Sequence, residues 1–303
     1  MTARMLLVGL AALAMIPAVT AEETMDWQKL DVKRRTIVYK TVGDVELKLY
    51  AFLPPDWDAE DKRPAAVFFF GGGWSHGRTE QFYPHCAYLA SRGMVAASAE
   101  YRVKNRHGTT PVECVKDGKS AVRWLRANAD EMGVDPERIA AGGGSAGGMV
   151  AACAGVVPGV EEDGEDTEIG SGADALLLFN PAVDMVTRAE RMGMSPETAE
   201  SVSPLHHVRE DLPPCIIFHG EEDTTVPIKR VREFCRRMKE AENRCEVVGY
   251  DGVGHAFFNY GRGKSHEYFR DTVYRTDRFL ASLGWLEGEP TIKPPDELPG
   301  KNK

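Results

Sequence analysis

Apolar and polar residues alternate over Thr36–Val42 and again over Val45–Leu53, with Gly43-Asp44 between them. A period of two marks strands with one buried face, and a two-residue turn containing glycine joins such neighbours into a hairpin. Further along, the pattern changes. Ala65–Phe70, Met94–Ala99, Ala175–Phe179 and Cys215–Phe218 are continuous apolar runs, as expected for strands covered on both faces. Ile139–Ala141 and Cys245–Tyr250 read as two more short strands. Between the runs lie segments with helical spacing: Phe82–Ser91, Pro111–Met132, Ile228–Glu242 and His266–Leu283. In the second of these, Val115, Ala121, Val122, Trp124 and Leu125 mark the inner face. Strands alternating with helices predict an α/β fold: a mainly parallel central sheet, helices on both faces, and the opening hairpin as an antiparallel edge. In such sheets the site lies beyond the C-terminal ends of the strands.

Four stretches fall outside this alternation. Residues 1–21 carry Arg4, an apolar run from Leu6 to Ile16 and small residues at Val19-Thr20-Ala21. That is the layout of a signal peptide, and the run is too short to span a bilayer. It predicts a secreted or periplasmic protein whose mature chain has no membrane span. Residues 155–172 hold glycines and the acidic cluster Glu161–Glu168, read as a solvated loop. Calcium is the rival reading there, but the acidic spacing is not that of an EF-hand. Asp184–Leu212 is a polar insertion long enough to form part of a lid. After Trp285 the chain turns to Pro, Glu and Lys, which predicts a loose tail over 285–303. The remainder, 22–284, is expected to be a single domain.

Composition narrows the functions. The 303 residues carry a formal charge of −9 and no dense Lys/Arg run, which argues against a nucleic-acid partner. Six cysteines, Cys86, Cys114, Cys153, Cys215, Cys235 and Cys245, match no zinc spacing. Cys235 and Cys245 are the first candidates for a disulfide in an exported chain, against the alternative of six buried thiols.

The chemistry is concentrated in four loops. Gly143-Gly144-Ser145-Ala146-Gly147 joins the Ile139–Ala141 strand to an Ala/Met/Val-rich helical stretch. Glycines two residues either side of a serine suit a strained strand-to-helix turn that lifts the hydroxyl off the sheet and over a helix N-terminus. A serine is protonated at neutral pH and needs a base, which in turn needs an orienting carboxylate. His255, in Gly252-Val253-Gly254-His255 after the last strand, is the best base. Asp223, where the turn tightens before Val226-Pro227, is the first choice of carboxylate, with Glu221, Glu222, Asp251 and Asp184 as rivals. Phe70-Gly71-Gly72-Gly73-Trp74 follows a buried strand. It lacks the Gly-Lys-Ser/Thr ending of a phosphate loop. It suits an oxyanion hole with donors at the N–H groups of Gly72, Gly73 and Ala146, where losing one donor typically costs ~3 kcal/mol. Trp74 either walls an acyl pocket or packs into the core. His206 and His207 are weaker candidates for lining the cleft, and His219 reads as structural.

Gly-rich loop, serine, aspartate and histidine occur here in one order, and in that order the chain resembles the α/β-hydrolase superfamily. More narrowly it resembles the secreted esterase/lipase group that includes hormone-sensitive-lipase-like, acetyl-esterase and feruloyl-esterase-like carbohydrate esterases. Asp135-Pro136-Glu137-Arg138-Ile139 and Glu100-Tyr101-Arg102 add to the likeness, which covers roughly residues 36–284. The resemblance implies the α/β-hydrolase fold and a serine carboxylesterase with Ser145, Asp223 and His255 as triad, needing neither metal nor cofactor. Its substrate would be a small-molecule or oligosaccharide ester carrying an acetyl or feruloyl group. One departure stands out: the group usually has His before the three glycines, and this chain has Phe70; that side chain is not itself an oxyanion donor, but the departure leaves open what supports the loop. Two rival readings share parts of the pattern. One is a prolyl-oligopeptidase-type peptidase, the other a non-catalytic binding protein of the same fold.

Overall fold

The computed structural model describes residues 25–261 and 265–298; the leader-like segment 1–21 lies outside them. Eight strands form one sheet: β1 Lys33–Val42, β2 Val45–Leu53, β3 Arg63–Phe69, β4 Val95–Ala99, β5 Val134–Gly144, β6 Ala175–Phe179, β7 Cys215–Gly220 and β8 Cys245–Tyr250. Their order across the sheet is β1-β2-β4-β3-β5-β6-β7-β8. β1 and β2 pair antiparallel, β2 joins β4 antiparallel, and every pairing from β4 to β8 is parallel. This is the α/β-hydrolase fold.

The continuous apolar runs explain why the sheet has two cores. In β3, Ala65, Val67 and Phe69 face one apolar cluster, while Ala66 and Phe68 face the other. The first cluster receives α2 (Pro111–Ala127), α3 (Ala146–Val156) and α4 (Ile228–Glu240); the second receives α1 (Tyr83–Ser91) and α5 (Ser265–Ser282). His85 of α1 belongs to the second core, among the rings of Phe82, Phe179 and Phe269, where burial pulls its pKa down to about 3 and keeps it neutral. Among the described residues no helix is long and apolar enough to cross a membrane.

Several expectations need correction. The helix predicted over Pro111–Met132 stops at Ala127. Asn128 turns its amide back onto the Trp124 carbonyl (2.8 Å), which competes with helix continuation, and a separate turn Ala129–Met132 follows. The opening of α2 is as its residues suggest: Pro111 stands at the first position, and Thr110 with Glu113 forms a capping box. The acidic loop is not a solvated bystander. Glu161 pairs with Lys119 and Arg123, and Glu162 with Lys40 and Arg102. Lys40 and Arg102 also converge on fully buried Asp117 (2.7 Å each). The loop therefore clasps α2 to β1, and among the described residues no group of acidic, His or Cys side chains is arranged to hold a metal. The tail is docked rather than loose across 285–298. Leu286 and Ile292 are buried in the second core, and Arg92 reaches from α1 to the carbonyls of Glu287 and Gly288 while paired with buried Asp277 (2.7 Å). All six cysteines are buried free thiols, Cys235 and Cys245 included.

Candidate active site

β5 ends in Gly143-Gly144, and Ser145 occupies the turn into α3 with φ of 54° and ψ of −114°. A non-glycine residue holds that conformation only where its surroundings enforce it. Two contacts show how. A Cβ on Gly143 would lie 2.3 Å from the Gly147 carbonyl oxygen, and one on Gly147 would lie 2.1 Å from that of Phe69. The turn closes this tightly only because both positions are glycine. Ser145 N–H donates to the Phe179 carbonyl at 2.9 Å, tying the turn to the end of β6.

His255 arrives from the loop after β8. Its Nε2 lies 2.8 Å from Ser145 Oγ and its Nδ1 lies 2.7 Å from Asp223 Oδ2. With Asp223 ionised, Nδ1 must carry the proton, so Nε2 is left with a lone pair facing the serine hydroxyl. Asp223, in the loop after β7, sits among donors. Its Oδ1 accepts the N–H groups of Thr225 and Val226 (2.9 Å each), and His219 Nε2 lies 3.3 Å from Oδ2. Burial by itself raises the carboxyl pKa, but the hydrogen bonds from His219, His255 and the Val226 N–H outweigh it and hold Asp223 well below the usual carboxylate range. His219 is fully buried, and the same nitrogen also reaches the Val226 carbonyl at 2.8 Å. It supports the loop and the carboxylate together, a closer tie to the site than its sequence context suggests. Of the rival carboxylates, Glu221 pairs with Arg232 and Asp184 with Arg230 (3.3 Å), while Glu222 and Asp251 are exposed.

The glycine loop after β3 lies against this serine. Gly72 has φ of 142°, and a Cβ there would lie 2.0 Å from the His76 carbonyl oxygen; Gly73 has φ of 60°. Among the described residues no protein acceptor takes the N–H of Gly72, Gly73 or Ala146. Gly72 and Gly73 line the cleft with Ser145, and Ala146 follows the serine at the start of α3. The support missing with the usual histidine is supplied in two ways. Gln81 accepts the Gly71 N–H at 2.7 Å and donates to Asn259 Oδ1 at 2.8 Å, spanning the cleft from the glycine loop to the loop that carries His255. Phe70 stacks on Tyr101 with ring centroids 4.2 Å apart, and the Tyr101 hydroxyl donates to the Phe70 carbonyl at 2.6 Å.

These groups open into one cleft of about 880 Å³, whose walls include Trp27, Trp74, Gln81, Asn180, Phe258 and Tyr260. Trp74 is 3% exposed, packs into the core and also lines the cleft. His206 and His207 are not on its walls. His206 bonds to Ser203 (2.8 Å) and His207 to the Glu200 carbonyl (2.9 Å). The insertion 184–212 is anchored by buried Met185, Ala199, Val202 and Leu205 and contributes Arg188 and Arg191 to the cleft.

Asn180 and Gln81 were not found by sequence reasoning. Fully buried Asn180 follows β6, accepts the Ala256 N–H at 3.1 Å, and lies 3.5 Å from His255 Nε2. A polar residue closing the apolar run Ala175–Phe179 was the available signal. Nothing local marks Gln81, whose partner Asn259 is 178 positions away.

Residues 51–238 match the BD-FAE family model. The chain is similar to the apo form of Thermogutta terrifontis esterase 2, with a TM-score of 0.81 and 48% identity over 84% of this chain and 97% of that one. Other structures of the same esterase hold propionate or butyrate. It is 31% identical over 253 residues to Esterase LipC of Mycobacterium tuberculosis, covering 75% of this chain and 60% of LipC. It is 29% identical over 251 residues to LipM, a probable carboxylic ester hydrolase of the same organism, covering 76% of this chain and 56% of LipM. The chain thus spans somewhat more than half the length of these curated relatives. By its sheet order, by the strained Ser145 turn and by these likenesses, the chain belongs to the BD-FAE family of α/β-hydrolase-fold proteins.

Proposed function

We propose that the protein is a serine carboxylesterase acting on short-chain acyl esters. The observation that carries this reading is the line from Asp223 through His255 to Ser145, 2.7 and 2.8 Å long, beside three unoccupied N–H donors. His255 Nε2 takes the Ser145 proton as Oγ bonds to the ester carbonyl carbon. The carbonyl π-electrons move to oxygen, where the N–H groups of Gly72, Gly73 and Ala146 meet the charge. Collapse breaks the bond to the alcohol oxygen, which receives the proton from Nε2. Water then repeats the sequence on the acyl-enzyme with His255 as base, releasing the acid and restoring the serine. Asp223 keeps the imidazole in the required tautomer throughout.

The finer reading is an exported enzyme that removes acetyl or feruloyl groups from carbohydrate. In its favour stand the leader-like residues 1–21, the family match, and a roomy cleft with aromatic walls at Trp27, Trp74 and Tyr260. Propionate and butyrate on the Thermogutta esterase favour small acyl groups. The test is turnover of 4-nitrophenyl esters of increasing acyl length, methyl ferulate and acetylated xylo-oligosaccharides by the wild type and by Ser145→Ala. Loss of at least about 10⁴-fold in kcat on the serine substitution is expected. Equal rates in the two proteins would overturn the esterase reading. Cleavage of a proline-containing chromogenic peptide instead would favour the peptidase, and preference for long acyl chains would remove the carbohydrate reading.

A further inference from the structure

The catalytic cleft has a side annex of about 310 Å³. The two share Ala182, Arg188, Arg191 and Val226, so the annex borders the cleft that holds Ser145. Lys229 and Arg230 complete the annex's cationic wall, with Asp184 as the one carboxylate among its lining residues. Asp184 is 4% exposed and already committed: Arg230 lies 3.3 Å away and the Thr187 N–H donates to it. Among the described residues no carboxylate lies within ion-pair distance of Arg188, Arg191 or Lys229. For half-buried Arg188 this stands out in a chain whose net charge is −9, where most other buried or half-buried arginines, such as Arg92, Arg102 and Arg123, have acidic partners; Arg191 and Lys229 are exposed.

Arg188 is half-buried and held in place. One guanidinium nitrogen donates to the Thr225 carbonyl at 2.8 Å, on the same loop whose N–H groups cradle Asp223. Arg188 lines both the cleft and the annex. Burial, and next the nearby Arg191 charge, lower its pKa from the usual arginine range. Asp184 and Asp223 act on Arg188 in the opposite sense but do not offset burial and the Arg191 charge, so an anion placed at the two guanidinium groups relieves the remaining repulsion. A planar guanidinium fork matches a carboxylate better than a lysine ammonium does.

We infer that this annex is a subsite for a carboxylate carried by the ester substrate, with Arg188 and Arg191 as the residues that hold it. The inference rests on the esterase reading and deepens it: the preferred ester is anionic. The carboxylate has two sources, the acyl group (the half-ester of a dicarboxylic acid) or the alcohol (a hydroxy acid or uronic acid).

The experiment compares kcat/KM for two pairs of esters at low and high salt. In the first pair the leaving phenol carries the charge: 4-acetoxybenzoate against 4-acetoxybenzamide. In the second the acyl group does: monophenyl succinate against the phenyl ester of succinamic acid. One acid is expected to exceed its amide by about tenfold at low salt, and that pair identifies the source. Added salt should shrink the ratio. Arg188→Gln/Arg191→Gln should bring it to about one, and Arg188→Lys/Arg191→Lys should restore part of it. Because each ratio is taken within one protein sample, partial misfolding of a variant does not alter it. Phenyl acetate separates the two failures. If it is hydrolysed while both ratios stay near one, or while the glutamine variant keeps the wild-type ratio, the subsite falls and the esterase stands. If wild type hydrolyses none of the esters, both fall.

Discussion

Replacing Gln81 with methionine removes both hydrogen bonds of the bridge across the cleft while keeping an unbranched side chain of similar length. The structure sets the size of the effect. Two bonds of 2.7 and 2.8 Å disappear, each contributing about 0.5–1.5 kcal/mol net. Gly71 lines the cleft, so water can reach its freed N–H, which keeps the stability loss near the lower end, about 1–2 kcal/mol. The rate should suffer more. Gly71 immediately precedes the proposed oxyanion donors at Gly72 and Gly73, which in that role must lie about 2.7–3.1 Å from the developing oxyanion. Full loss of one such donor costs ~3 kcal/mol, so a loop that is merely loosened should lower kcat between about tenfold and a hundredfold. KM should change little, because the ground-state carbonyl carries no full charge for those donors to meet. Steady-state hydrolysis of 4-nitrophenyl acetate gives the kcat and KM split, and thermal melting gives the stability term. A kcat within about twofold of wild type, or a loss confined to KM, would show that Gln81 does not position the glycine loop.

Three further outcomes follow from the same geometry. Gly147→Ala places a Cβ 2.1 Å from the Phe69 carbonyl oxygen, and since both sides of that contact are backbone, a loss of at least about 3 kcal/mol is expected in urea melts; a near-wild-type midpoint would refute the packing argument. Asp223 has a folded pKa below its unfolded value, so its stabilising contribution is complete above the unfolded pKa of about 3.9 and is lost as pH falls from there towards the folded value. Wild type should therefore be more stable than Asp223→Asn at pH 7, with the gap closing below about pH 4; a gap that widens in acid would reverse the sign of this account. Asp277→Ala strands Arg92 and the Tyr88 hydroxyl, costing about 3 kcal/mol and releasing the 285–298 segment to limited proteolysis before the rest of the chain, whereas an unchanged digestion pattern would mean that the tail docks without this pair.

Local covalent chemistry made much of this protein legible from its sequence. The strands β3, β4, β6 and β7 announce themselves because a strand covered on both faces is mostly apolar instead of alternating. Ser145 was visible because the strain of its turn falls on Gly143 and Gly147, two residues to either side. The order of glycine loop, serine, aspartate and histidine indicated which loops would meet. Tertiary structure decided what depends on contacts between distant segments. Gln81 reaches Asn259, Asn180 reaches the His255 loop, and Lys40 reaches Glu162 across 122 positions; no local pattern encodes such partners. The acidic loop and the C-terminal tail were misread for the same reason. Charged and proline-rich segments have the composition of solvated chain, and only the positions of Arg102, Arg123 and Arg92 turn them into docked structure. Charge illustrates the difference most directly. Summation along the chain yields an acidic protein, whereas folding gathers Arg188, Arg191, Lys229 and Arg230 around one cavity that borders the cleft of Ser145, because a local field follows from where charges sit and not from their total.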